Sequence, residues 1–556
     1  MSDLTPGDTR LARNRPPGQD LRLIYRSEID ESHQPYALYV PSGYDRRSPW
    51  PLIINLHGTS AGRGEELVGQ ASKSYTADRN ALFLWAAERH GALLATPYGR
   101  GITEFRGTGE NDVFRVLEEV QRQYNVDADR VALTGLSMGG TASYELGLHH
   151  PGVFSAVAPI AAAHSFEWLA ANGQHIPFWC IGGEHDRDFI KHGGLSCAKL
   201  MIEKGYPTRL SVLETREHGD FIPELFDRVV EWLLRHRLVR HPSEYAFSAV
   251  LPMFGQAYWT AIDAISEPGP VATINARVVS PTHISLKTEN TTALAVLPDC
   301  ALIDMTRPLE FEIDGQSTIT STVAPDLEVM LTKEEGRWRA AVGPRREISL
   351  TAHRTHPVAE APRQLTMQGV EAPLANWIAD AIRAAAGTDI ALYNRRYHRG
   401  QPIEKGVVDE VDFVQCSRPF DQLLGVTQLT GRDVVDILED NIEVPEALRH
   451  GFPLSFTDPD VEYLVHPSGF TYAFDRNRPV GRRVVACDLD PTRRYSVAVE
   501  GQVPERADVW RRCTIRLADN YPLDYEVTRI PLRGALYAHA KRTGRIEAPA
   551  SRVRAV

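Results

Sequence analysis

Ser137 lies in the run Leu133-Thr134-Gly135-Leu136-Ser137-Met138-Gly139-Gly140, a G-x-S-x-G pattern. It is entered from an apolar stretch, Arg130 to Thr134, and left through a segment rich in small residues, Gly139 to His149. In that setting the pattern reads as a nucleophile elbow, in which the chain turns from strand to helix within a residue or two and holds the serine hydroxyl outward. Gly135 and Gly139 keep side chains out of the turn, and the following helix N-terminus favours developing negative charge. A serine hydroxyl is a weak nucleophile at neutral pH, so it needs a base, and the base needs an orienting acid.

Both partners are found downstream. Pro177 to Gly183 reads as a buried strand ending in glycines, followed by Glu184-His185-Asp186-Arg187-Asp188. Asp186 is assigned as the acid, with Asp188 and Glu184 as alternatives in the same loop. A helix near Ser196 to Lys204 and a strand from Thr208 to Glu214 come next. Arg216-Glu217-His218-Gly219-Asp220 then leads into an amphipathic helix, Phe221 to His236, and His218 is assigned as the base. Upstream, the apolar strand Pro51 to Leu56 ends in His57-Gly58-Thr59-Ser60. The backbone N–H groups of Thr59 and Met138 are assigned as the pair that holds an oxyanion. One such donor is typically worth about 3 kcal/mol in the transition state. His57 reads as a brace for this loop, His149 and His150 as helix-end residues, and His164 as a structural residue.

These residues need a scaffold, and residues 21–244 alternate apolar strands with helical patterns, the mark of a mainly parallel sheet. Val113, Val116, Leu117 and Val120 fall on one helical face with charges opposite. Residues 1–20 read as a flexible arm. Residues 245–352 show short alternating segments, with Asp314-Gly315 as a hairpin turn, and read as a β-rich accessory domain. Residues 353–364 read as a linker, residues 365–549 as an α+β domain, and residues 550–556 as a tail. In the third domain, Glu371 to Ala386 is an amphipathic helix, Asp389 to Asn394 a strand and Thr430 to Ile442 a helix. The expected fold class is α/β, extended by the β-rich and α+β domains.

On "YALYVPSGYD", "PLIINLHG", "PYGRG", "NDVFRVLEEVQRQYNVDADRVALTGLSMGG", "HPGVFSAVAPI" and "REHGDF", the stretch from Tyr36 to His236 resembles the polyhydroxybutyrate-depolymerase and feruloyl-esterase branch of α/β-hydrolases, also described as prolyl-oligopeptidase-like. The resemblance implies hydrolysis of carboxylic esters through an acyl-enzyme, without a metal or organic cofactor. It leaves the acyl and alcohol groups open. Ala161-Ala162-Ala163-His164 departs from the small residues or cysteine that the branch often has there.

On "EAPLANWIADAIR", "DIALYN", "VDFVQCSRPFDQLLGVTQLTGRDVVDILE", "SGFTYAFDRNRPVGRRV" and "GALYAHAKRTGRI", residues 365–549 resemble the C-terminal domain of 5′-nucleotidases. That family's Asp-x-His and Gly-Asn-His-Asp/Glu metal ligands have no counterpart in this chain. Its strand end Asn-Gly-Gly-Gly-Ile-Arg corresponds to Asn394-Arg395-Arg396-Tyr397-His398-Arg399, where only Asn394 and Arg399 match. Its Pro-Phe-Gly-Asn corresponds to Pro419-Phe420-Asp421-Gln422. The resemblance leaves Asn394, Arg399 and Phe420 as vestigial ligand-binding positions. It implies a degenerate domain kept for packing or homodimerisation.

With 556 residues, the chain is too long for one core. Its net charge of −11 argues against nucleic-acid binding, which needs a basic footprint. Its six cysteines (Cys180, Cys197, Cys300, Cys416, Cys487 and Cys513) show no C-x-x-C spacing, so free thiols are expected and no zinc site. Val153 to Ala163 is too short to span a bilayer, and no apolar leader is visible at the N-terminus. The expectation is a cytoplasmic serine esterase without membrane partners, secretion remaining open if a leader has been removed. It acts on a small-molecule or oligomeric ester substrate. The alternatives are a serine peptidase acting on small peptides, and a nucleotide- or carbohydrate-binding scaffold.

Overall fold

The computed structural model describes residues 16–59, 78–101, 103–162, 167–186, 188–299, 301–347, 350, 357–395, 398, 400–417, 421–442, 464–500, 526–548 and 552–556. The chain divides into two compact units, one within Met1–Ile265 and Ala272–Arg354, the other within Ser266–Val271 and Thr355–Val556.

The first unit holds an eight-stranded sheet: β1 (Gln19–Arg26), β2 (His33–Val40), β3 (Trp50–Leu56), β4 (Leu93–Pro97), β5 (Val126–Leu136), β6 (Val157–Ile160), β7 (Phe178–Gly183) and β8 (Thr208–Leu213). Their spatial order is 1-2-4-3-5-6-7-8. β1–β2 and β2–β4 are antiparallel, and every neighbouring pair from β4 to β8 is parallel. The central strands are apolar runs without alternation because both faces are covered; Leu52, Ile53, Ile54 and Leu56 of β3 are all buried. Among the described residues, five α-helices accompany the sheet: α1 (Asp78–His90), α2 (Thr108–Gln123), α3 (Met138–His149), α4 (Asp188–Glu203) and α5 (Ile222–Leu233). Val113, Val116, Leu117 and Val120 form the buried face of α2. α3 packs on β3, β5 and β6, and α4 on β7 and β8.

The chain runs from β3 out to β4 and then back to β5 on the other side of β3. Connections leave the strand ends of β3 and β5 in opposite senses, and such a reversal opens a crevice at the carboxyl ends of the strands. His57-Gly58-Thr59 follows β3 and Ser137 follows β5, so both flank that reversal.

Two five-stranded sheets complete the first unit. They share a core that includes Phe247, Ile274, Leu286, Phe311, Val329 and Leu331. Asp314 and Gly315 join Glu310–Ile313 to Gln316–Ile319 with φ of 50° and 78°, the two positive values of a type I′ turn. Most of the segment read as a β-rich accessory domain falls within the first unit. Its edge strand β9 (Glu244–Ala249) is tied to the eight-stranded part by side chains. Asn172 accepts from Ser248 N (2.8 Å) and donates to the carbonyls of Ser248 (3.0 Å) and Leu148 (2.9 Å), and Gln174 accepts from Ala246 N (3.0 Å). These amides occupy groups that an open sheet edge would leave unpaired. His149, read as a helix-end residue, lies flat on Phe254, with ring centroids 4.0 Å apart.

The second unit has a five-stranded sheet in the spatial order Val465–Ser468, Ile390–Asn394, Arg494–Glu500, Leu423–Thr430, Glu526–Pro531. Beside it stand the helices Pro373–Ala386, Glu410–Cys416, Gly431–Ile442 and Leu532–Thr543. Leu374, Trp377, Ile378, Ala381 and Ile382 are all buried, as the helical periodicity requires.

Three segments expected to be unstructured are paired instead. The end of the N-terminal arm enters β1 at Gln19, where Gly18 N also donates to the Tyr39 hydroxyl (3.0 Å). Within the linker, Pro357–Ala361 is a strand against Gly406–Asp409. In the tail, Val553–Ala555 pairs in parallel with Tyr472–Phe474. It is held by Arg552, whose guanidinium reaches Asp380 Oδ2 (2.7 Å) and the carbonyls of Asn376 (3.2 Å) and Pro467 (3.1 Å). Each of these segments is too short to declare itself; its strand character comes from a partner distant in sequence.

Candidate active site

At Ser137 the backbone adopts φ 58° and ψ −113°, a conformation that costs an L-residue energy and is found mainly where function requires it. Close packing on both sides enforces it. A Cβ on Gly135 would lie 2.4 Å from the Gly139 carbonyl oxygen, and one on Gly139 would lie 2.1 Å from that of Leu56. Ser137 N donates to the Ile160 carbonyl on β6 (2.9 Å), and the Ser137 carbonyl accepts from Thr141 N (2.9 Å). The serine is thereby fixed between β5 and α3 with its side chain only partly covered.

Asp186 and His218 are brought together from the loops after β7 and β8. His218 Nδ1 lies 2.9 Å from Asp186 Oδ2 and 3.1 Å from Oδ1. The carboxylate is fully buried, at 0% exposure, while the imidazole is 23% exposed. With Nδ1 engaged, Nε2 is the ring nitrogen left for proton exchange. Of the alternatives, Glu184 uses its carboxylate to accept from Thr215 N (3.0 Å), and the side chain of Asp188 lies outside the described residues. A role for Gly183 escaped the sequence reading beyond its ending a strand. A Cβ there would stand 2.4 Å from the Arg216 carbonyl oxygen, so only glycine lets β7 approach the His218 loop.

On the other side of Ser137, Gly58 passes so close that a Cβ on it would lie 3.6 Å from the serine Cβ. Thr59 and Met138, the assigned backbone donors, are both buried. His57 is buried with Nδ1 3.0 Å from the Gly58 carbonyl and Nε2 3.0 Å from the Tyr98 carbonyl. Burial pushes its pKa below the ordinary histidine value, while the two carbonyls that its ring nitrogens face act in the opposite sense. His164 lies outside the described residues.

In the second unit, Arg399 and Phe420 lie outside the described residues, as do Arg396 and Tyr397. Asn394 is buried, and its Nδ2 donates to Asn441 Oδ1 (2.9 Å). Arg395, standing where the resembling family has glycine, is buried and donates to the carbonyls of Met367 (3.2 Å) and Gly369 (2.6 Å). Asp421 occupies the position of another family glycine. Its Oδ1 accepts from Arg533 N (2.9 Å) in the first turn of Leu532–Thr543, and its Oδ2 lies 3.9 Å from Arg533 Nε. Both side chains are sealed, at 0% and 1% exposure. Removing one member of such a pair strands a buried charge. Asp421→Asn is therefore expected to destabilise the second unit by about 3–5 kcal/mol. Urea unfolding of the full chain checks this, and an unshifted midpoint would show that the pair carries no such load.

Among the described residues, no group of three or more His, Cys, Asp or Glu could hold a metal ion, and no helix is long and apolar enough to cross a membrane. Cys180, Cys197, Cys416 and Cys487 are free thiols.

Comparison with known proteins separates the two parts of the chain. Residues 27–179 match the family described as "Putative esterase", and residues 351–508 match "5′-nucleotidase, C-terminal domain". The chain carries an esterase-family domain followed by a 5′-nucleotidase C-terminal domain. The esterase-family part is 25% identical over 169 residues to feruloyl esterase C of Emericella nidulans, covering 30% of this chain and 60% of that one. It is 25% identical over 153 residues to a bifunctional acetylxylan esterase/xylanase of Neocallimastix patriciarum, covering 27% of this chain and 21% of that one. The chain thus spans about three fifths and about one fifth of the length of these two relatives. A solved thermostable esterase is 22% identical, covering 39% of this chain and 63% of its own, with a TM-score of 0.35.

Proposed function

We propose that the esterase-family domain hydrolyses carboxylic esters through an acyl-enzyme on Ser137. The observation that carries this reading is the strained elbow at Ser137, which follows β5 at the same carboxyl end of the parallel strands as the His218–Asp186 pair, which follows β8 and β7. Ser137 Oγ attacks the ester carbonyl while His218 Nε2 accepts its proton. The same nitrogen then returns the proton to the departing alcohol. Asp186 holds the imidazole in the tautomer with Nδ1 protonated and stabilises the imidazolium. The N–H groups of Thr59 and Met138 receive the oxyanion, and water frees the acyl group with His218 again acting as base.

The names of the two relatives, a feruloyl esterase and an acetylxylan esterase, support placing feruloyl and acetyl esters first in a substrate panel. The four free thiols support a reducing, cytoplasmic compartment. For the 5′-nucleotidase C-terminal domain the proposed role is packing. Arg395 and Asp421, at positions where the resembling family has glycine, are engaged with their own domain.

A fluorophosphonate probe followed by peptide mapping tests the reading. The expected adduct is on Ser137, together with turnover of at least one ester in the panel. Folded protein that stays unlabelled would favour the scaffold alternative. Labelled protein that cleaves only amides would favour the peptidase.

A further inference from the structure

The connection after β4 is unusual in its backbone. Gly99, Arg100 and Gly101 have φ of 54°, 59° and 85°, and Glu104, Phe105 and Gly107 have φ of 59°, 52° and 56°. Three of these six are not glycine, and such conformations persist only where surrounding contacts over-determine them.

The contacts are visible. Phe105 lies against Gly99, where a Cβ would come within 2.3 Å of the Phe105 ring, and Thr103 Oγ1 donates to the Gly99 carbonyl (2.7 Å). The outer anchor is Arg100. Its Nε donates to Asp112 Oδ2 on α2 (3.1 Å), its Nη2 to Ser27 Oγ (2.9 Å), and its Nη1 pairs with Asp30. Ser27 and Asp30 belong to the β1–β2 turn. One guanidinium therefore joins the post-β4 loop, α2 and the first hairpin, with only 16% exposure on the arginine and 2% on Asp112.

The other end of this loop reaches the serine. The Tyr98 carbonyl accepts from Gly101 N (3.0 Å) and faces His57 Nε2 (3.0 Å). The Phe105 ring packs on His57 with centroids 4.9 Å apart. His57 Nδ1 in turn lies 3.0 Å from the carbonyl of Gly58, the residue that passes Ser137 and leads into Thr59. Tyr98, His57 and Gly58 thus form a continuous link between Arg100 and the N–H that the ester mechanism aims at the oxyanion.

We propose that Arg100 is a positioning residue for the oxyanion donor, acting through the Tyr98 carbonyl and the His57 ring. The proposal rests on the esterase reading above. A guanidinium fork can bind three partners in a fixed plane, whereas a lysine ammonium is a flexible point charge. Arg100→Lys therefore keeps the charge beside Asp112 and releases the loop. Misplacing a catalytic group by about 1 Å can cost about 100-fold in rate, and a partial shift costs less.

The test uses the full chain, with fluorophosphonate labelling run to completion to count competent Ser137. An unlabelled wild type would sink the esterase reading before the arginine is tested. With a labelled wild type, Arg100→Lys should lower kcat per labelled serine by about tenfold, with KM within about twofold. Affinity for an alkyl boronic acid, whose tetrahedral adduct places an oxygen where the oxyanion forms, should fall by the same factor. Asp30→Asn, which removes only the half-exposed partner, should shift both quantities in the same direction by less, and it supplies the readout if the lysine variant fails to fold. Arg237→Met is the control: Arg237 pairs with Asp127 and Asp129 near the opposite end of β5 and should leave kcat per serine and boronate affinity unchanged. Wild-type values for both quantities in folded Arg100→Lys would overturn the proposal. So would equal losses in Arg237→Met.

Discussion

Ser137→Ala is expected to lower kcat/KM for the best ester of a panel by about 10⁵–10⁶-fold, with unfolding almost unchanged. Alanine inherits the same positive φ as serine, so the strain at the elbow is neither added nor relieved. The Ser137 backbone bonds to Ile160 and Thr141 also survive the change. What disappears is the nucleophile, and the remaining turnover is what the oxyanion donors and substrate binding supply without it. Residues that act as one device lose function together. The double variant Ser137→Ala, His218→Ala should accordingly be about as slow as Ser137→Ala alone. Losses that multiply in the double variant would separate His218 from the serine and take it out of the mechanism.

Asp186→Asn carries the next largest expected effect, a fall in kcat of about 10³–10⁴-fold at unchanged fold. The carboxylate is fully buried and both of its oxygens lie near His218 Nδ1. An asparagine at this place can donate its amide N–H to Nδ1, which selects the tautomer with the proton on Nε2. That nitrogen can then no longer accept from the serine. The amide also removes the negative charge that stabilises imidazolium. Steady-state kinetics on the same ester measure the loss, with Glu184→Gln as comparison. Because the Glu184 carboxylate serves Thr215 N, its variant should stay within about threefold of the parent rate, the range of one modest hydrogen bond. A slower Glu184→Gln than Asp186→Asn would move the acid to the neighbouring position in the loop.

How much of this was legible in the residues differs from element to element, and the reason is locality. The elbow could be read because every requirement lies within a dozen consecutive residues: an apolar strand, glycines where carbonyls approach, and a helix of small residues. Helix faces such as Val113, Val116, Leu117 and Val120 were equally legible, since periodicity is a local property. So was the Asp314-Gly315 turn, whose two positive φ values are a demand that residue type can answer by itself. Chain order nominated His218 and put Asp186 ahead of Glu184 and Asp188. The structure adds that the Asp186 carboxylate is buried against Nδ1, while the Glu184 carboxylate accepts from Thr215 N.

Tertiary structure alone decided features whose partners lie far apart in sequence. Pro357–Ala361 and Val553–Ala555 became strands only through pairing with Gly406–Asp409 and Tyr472–Phe474. The accessory sheets fall within the first unit, where Asn172 and Gln174 hydrogen-bond the edge strand at Ser248 and Ala246. Arg395 and Asp421 looked like residues that had displaced glycines; only burial showed that one serves backbone carbonyls and the other a buried arginine. Arg100 was an unremarked letter in "PYGRG" until Ser27, Asp30 and Asp112 converged on its guanidinium. A residue type states which bonds it can make, and backbone propensity acts over a few neighbours. Which of those bonds form is settled by distant segments that exclude water from around them, and no short stretch of sequence contains that information.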